Sequence, residues 1–175
     1  MTTLRDEELL LAVANTAHGA DDELADPDAV RTWWRSLGGS GTGGPDGVPA
    51  LRTLRALIRG LALRNNGIEP DLSDLSALDT LPLRFDLRDT PSLRAEIPGD
   101  LARDIAAATV TALLRATARP DWPRVKACRG DDCRWVFIDG SRNASRRWCA
   151  MADCGNRAKV AAFRDRRRAD SGRPG

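Results

Sequence analysis

Cys128-Arg129-Gly130-Asp131-Asp132-Cys133 and Cys149-Ala150-Met151-Ala152-Asp153-Cys154 form two C-x4-C pairs with fifteen residues between them. Two close pairs at that separation are the pattern of a structural zinc site, and these four thiols are all the cysteines of the chain. A segment of about 45 residues buries too little apolar surface to fold unaided, so a metal cross-link has to supply the missing energy. Paired disulfides need an oxidising compartment, for which no export signal is seen, and iron–sulfur clusters use other spacings. The expectation is one structural Zn2+ held by Cys128, Cys133, Cys149 and Cys154. Four thiolates leave no open position for water, and neither His nor Glu lies between residues 124 and 168 to act as a base. The metal is expected to hold the fold.

The charge map singles out the same stretch. Residues 1–123 carry 13 basic and 19 acidic side chains, whereas residues 124–168 carry 13 basic and 5 acidic. An acidic body joined to a basic module implies an anionic partner for the module. Trp135-Val136-Phe137-Ile138 reads as a short strand, with Trp135 and Phe137 on one face around the metal knuckle. From Gly155 to Arg168 the composition is helical. Val160 and Phe163 share one stripe that can pack back on the site, Arg157, Arg164 and Arg168 form a second, and Lys159 and Arg166 lie on the other flank.

Upstream, the 175-residue chain reads as mostly helical. A first helix spans 4–17. In the second, Asp26-Pro27 is the start signal, Val30, Trp33, Trp34 and Leu37 form a packing stripe, and Gly38-Gly39 stops it. Gly39-Ser40-Gly41-Thr42-Gly43-Gly44 matches a dinucleotide fingerprint only in form, because it follows a helix and Pro45 blocks the next one. Leu51, Leu54, Ile58 and Leu61 mark a third helix, with Arg52, Arg55, Arg59 and Arg64 as a solvated face. Period-two alternation in 83–88 and 92–97 predicts a hairpin, and an alanine-rich helix follows from Leu101 to Ala118. Pro120 and Pro123 mark a stiff joint where contacts between two units are expected to thin out. The predicted architecture is therefore a helical domain over 1–119 with a small β-hairpin. A zinc module over 124–168 (knuckle, short strands, C-terminal helix) and a disordered tail over 169–175 complete it.

Ser141-Arg142-Asn143-Ala144-Ser145-Arg146-Arg147-Trp148-Cys149 through Cys154-Gly155-Asn156-Arg157-Ala158-Lys159 closely resembles the signature of the CGNR zinc-finger family, and Cys128…Cys133-Arg134-Trp135-Val136-Phe137-Ile138-Asp139 fits it as well. The body resembles the ABATE domain that precedes this finger, through Val13-Ala14-Asn15-Thr16, Leu24-Ala25-Asp26-Pro27 and the Leu51–Leu61 helix. The resemblance implies four cysteine ligands, DNA binding and a bacterial, stress-linked transcription regulator.

The expected function is thus a zinc-finger DNA-binding transcriptional regulator. Its nucleic-acid contacts are expected at Arg142, Arg146, Arg147, Arg157, Lys159, Arg164, Arg166, Arg167 and Arg168. The body is expected to sense a small-molecule effector or to form a homodimer. RNA or single-strand binding and a thiol–zinc redox switch are the alternatives. With one histidine, His18, and no tyrosine, no constellation of base, nucleophile and oxyanion donors can be assembled, so an enzyme is not expected. The longest apolar run, residues 9–14, is far too short for a membrane span, and a cytoplasmic location is expected.

Overall fold

A computed structural model describes residues 4–42, 46–97, 99–130 and 132–171, without the side chains of 168–171. Residues 43–45 of the glycine-rich loop and residues 172–175 of the expected tail therefore lie outside the described residues.

Helix α1 (Asp6–Ala14) opens with three acids in its first turn and buries Leu9, Leu10, Val13 and Ala14. It is shorter than the sequence predicts. The Thr16 hydroxyl donates to the Val13 carbonyl at 2.8 Å, and the chain then turns through a small antiparallel pair, β1 (Ala17–His18) and β2 (Asp21–Asp22). Helix α2 (Pro27–Ser36) starts as expected, with the Asp26 carboxylate accepting from the amides of Asp28 and Ala29. Trp33 is buried in the core and Trp34 packs partly against it, so the adjacent tryptophans are a packing stripe.

Helix α3 (Val48–Asn65) is the central element. Its start lies so close to another helix that a Cβ on Gly47 would collide with the backbone of Ala102 and Arg103. The arginines of α3 correct the sequence reading. Arg52 donates to the carbonyls of Leu24 and Ala25, Arg55 pairs with Asp22 at 2.6 Å, and Arg59 reaches the carbonyls of Ala14 and Ala17. Arg64, paired with Glu69, does belong to a solvated surface, and Arg52 is exposed as well although its guanidinium is bound. Arg52, Arg55 and Arg59 together staple the segment 14–25 to the helix, Arg52 and Arg59 by donating to main-chain carbonyls and Arg55 by pairing with the Asp22 carboxylate.

A short helix, α4 (Ser76–Asp79), precedes the expected hairpin, formed by β3 (Leu83–Asp86) and β4 (Ser92–Ala95) with Phe85 opposite Leu93. Helix α5 (Leu101–Thr117), capped by Asp100, buries ten residues, half of them alanine, which lets it pack closely on α1 and α3. A 3-10 turn at Trp122–Arg124 leads into β5 (Val125–Ala127), which pairs antiparallel with β6 (Val136–Ile138).

That last pair is not held apart from the body. Val125, Ala127 and Val136 belong to the same buried cluster as Leu10, Leu51, Ile58 and Ile105. Alternation along the strands sends Lys126 and Phe137 to the opposite side. The expected thinning of contacts at Pro120–Pro123 does not occur, because the body completes its core with the first strands of the basic segment. After a single wide π-helical turn at Met151–Gly155, helix α6 (Asn156–Ser171) runs past Arg168, where the module was expected to end. Among the described residues no helix is long and apolar enough to cross a membrane.

Candidate metal centre and basic helix

The four cysteines converge from two turns. After Cys128 the chain reverses, with the Cys133 amide donating to the Gly130 carbonyl at 3.1 Å and Arg134, the next residue, at φ 54°. The turn beginning at Met151 brings Cys154 back beside Cys149. The four Sγ atoms lie within 4.8 Å of one another, with Cys133–Cys149 and Cys149–Cys154 both at 3.6 Å. A tetrahedron with Zn–S bonds near 2.3 Å has edges of about 3.8 Å, so the donor set fits one zinc ion. All four sulfurs would be ligands, and the chemistry the metal supplies is a cross-link between the two turns.

Phe137 and Trp148 pack around the thiols. Trp135 departs from the expectation. It turns away to meet the His18 ring edge-on, with centroids 5.6 Å apart, and so gives the sole histidine a packing role.

Electrostatics around the sulfurs is uneven. Burial pushes the Cys133 and Cys149 thiols up. Cys154 is also buried, but the Arg157 guanidinium at 3.1 Å and the neighbouring thiols outweigh that and bring it below the ordinary value. Arg157 also pairs with Asp132 and Asp153. Its cationic fork is thus spent on the metal turn and its acidic rim.

Behind the thiols lies a polar cluster that sequence reading missed. Lys126 and Asp139 are buried and paired at 2.8 Å. Asp139 also accepts from the Ser141 amide and hydroxyl and from the Arg146 amide. Lys126 also donates to the Ala144 and Arg146 carbonyls. Burial alone would raise the Asp139 carboxyl, but these donors hold it well below the usual carboxylate range. The cluster shapes the 139–147 loop that delivers Cys149. A lysine and an aspartate thirteen residues apart leave no signal in the sequence.

Three body asparagines grip the module. Asn15 bonds both backbone groups of Val136. Asn65 donates to the Trp122 and Val125 carbonyls, and Asn66 to those of Ala127 and Arg147. Arg129 answers by donating to the Asn66 carbonyl. It passes over Gly67, where a positive φ of 75° ends α3 and a Cβ would come within 2.8 Å of the guanidinium.

The expected nucleic-acid residues separate into two groups. Arg146 is committed within the module: its guanidinium donates to the carbonyls of Trp148 and Cys149 and lies 4.6 Å from the Phe137 ring centroid. Arg157 is committed as described. Arg142, Arg147, Lys159, Arg164, Arg166 and Arg167 are exposed and make no ion pair with any described residue. The side chain of Arg168 lies outside the described residues. Val160 and Phe163 do not pack back on the site; they are 48% and 54% exposed, because α6 leaves the 151–155 turn pointing into solvent.

No curated protein matches the chain. No ABATE domain is detected in the body. Over residues 124–167 the chain is similar to the CGNR zinc finger, whose family model matches that stretch, and the four thiols there form a site for one zinc ion.

Proposed function

We propose that this protein is a DNA-binding transcriptional regulator, a binding protein and not an enzyme, in which zinc fixes the root of α6 and the helical body sets its direction. The observation that carries this reading is the exposed set Lys159, Arg164, Arg166 and Arg167, which flanks both sides of a helix anchored at one end by the metal turn. Four cations held on a rigid support, with no ion pair to any described residue, are suited to a phosphate backbone. The acidic body, with its excess of carboxylates over residues 1–123, would be repelled from the same polyanion and so leave α6 as the approaching face. An effector or a second copy would act through the body, whose strand-like grip on β5 and β6 links its packing to the orientation of the module.

The test is titration of duplex and single-stranded DNA over a range of salt concentrations with zinc-loaded protein. Duplex binding should be preferred and should fall steeply with salt. Arg164→Ala with Arg167→Ala should flatten the slope of log K against log salt by about two, one per phosphate contact. Equal or tighter binding to single strands would move the assignment to RNA or single-strand recognition.

A further inference from the structure

The side chains that the cations of α6 surround are apolar. Val160, Phe163, Arg164 and Arg167 recur at i, i+3, i+4 and i+7, so they form one stripe, with Lys159 at its edge. Both apolar members are about half exposed, and the principal packing of α6 is on the turn that precedes it. The Arg167 guanidinium lies 5.8 Å from the Phe163 ring centroid, so charge and ring are presented side by side.

We infer that this stripe reads thymine. Val160 and Phe163 would lie against thymine 5-methyl groups in the major groove, while Arg164, Arg167 and Lys159 hold the flanking phosphates. The inference rests on the DNA-binding reading above and adds a base preference to it. Charge selects a polyanion as the occupant. An α-helix with its side chains is about 10–12 Å across and the major groove about 12 Å wide, so the stripe can face base edges. The apolar group that a base pair displays there is the thymine methyl. A membrane surface fits less well, because an interfacial helix buries a broad apolar face and α6 offers only two large apolar side chains.

The test compares alternating poly(dA-dT) with alternating poly(dA-dU), which differ by the methyl alone and keep charge and pairing. Each buried methyl should contribute about three- to fourfold in affinity, so two should favour the thymine polymer roughly tenfold. Val160→Ala with Phe163→Ala should abolish that ratio by weakening only the thymine complex. Zinc content and helical signal should not change, since both side chains are exposed. Equal binding of the two polymers by the parent protein would overturn the inference and leave DNA binding intact. Failure to bind either polymer would remove the DNA-binding reading and this inference together. Binding to phosphatidylserine vesicles that the double variant loses, with duplex binding unchanged, would overturn it in favour of a membrane-facing helix.

Discussion

The carboxamide of Asn15 stands where a neighbouring strand would stand for Val136: its Nδ2 donates to the Val136 carbonyl at 2.9 Å and its Oδ1 accepts from the Val136 amide at 2.8 Å. One side chain at the end of α1 thereby satisfies both polar groups of a residue whose own side chain is fully buried. The hairpin that leads into the metal site is tied to the body by the same kind of bonding that ties strands into sheets.

Asn15→Ala should therefore strand two backbone groups in the core. Each costs about 1–3 kcal/mol when left unpaired. Asn15→Asp keeps the acceptor for the Val136 amide and sets a carboxylate against the carbonyl, so it should also destabilise. Denaturant titration of zinc-loaded protein is the measurement, and a midpoint unchanged in both variants would mean that water replaces the carboxamide without cost.

A chain shortened to end near Arg119 should lose cooperativity. Val125, Ala127 and Val136 would leave gaps beside Leu10 and Ile58, and Asn65 and Asn66 would lose their acceptors. We expect a broad melt and binding of a hydrophobic dye. Removing zinc from the full chain should do far less, freeing the 149–155 turn and α6 while β5 and β6 stay docked. Hydrogen exchange should show protection retained at Val125–Ala127 and lost beyond Cys149. A sharp melt of the shortened chain would place the domain boundary at Pro120 after all.

The Lys126–Asp139 pair predicts the order of acid unfolding. Asp139 has a depressed folded-state pKa, so its contribution is present above the ordinary carboxylate value of about 3.9 and is lost as pH falls through the folded value. Protons compete with zinc for the four thiolates, whose ordinary protonation range lies far above that of a carboxylate. Zinc should leave first as pH falls, and the hairpin should follow only below about pH 4. Asp139→Asn leaves the Lys126 ammonium buried without a counter-charge and should cost about 3–5 kcal/mol. Simultaneous loss of metal and hairpin protection across the whole acid range would contradict this order.

Arg157 should tune zinc retention. Its guanidinium touches Cys154 Sγ and two carboxylates at once, a geometry that a lysine ammonium cannot reproduce. Arg157→Ala and Arg157→Lys should both weaken zinc binding, by about tenfold or more for the alanine variant, in competition with a chromophoric chelator. If neither variant changed the competition curve, the contact with Cys154 would be incidental to the metal.

The four metal ligands were legible in the sequence because ligand spacing is local: C-x4-C fixes a turn, and two such turns can meet around one ion. Helices α2, α3 and α5 were legible for the same reason, since a cap, an apolar period and a stop signal lie within one stretch of chain. The sequence also marked α6 as basic and amphipathic. It could not say which way α6 points. Val160 and Phe163 have the spacing of a packing stripe, and only the exit direction from the 151–155 turn leaves them in solvent. Nor could it show that Arg52, Arg55 and Arg59 face the 14–25 segment, because an arginine on a helix looks the same whether its partner is water or a carbonyl or carboxylate 27 to 45 residues away. Asn15 with Val136, Asn66 with Ala127 and Lys126 with Asp139 are fixed by the tertiary structure alone. Their bonds pair residues from distant or differently folded segments, and a single polar residue carries no periodicity from which its partner can be read.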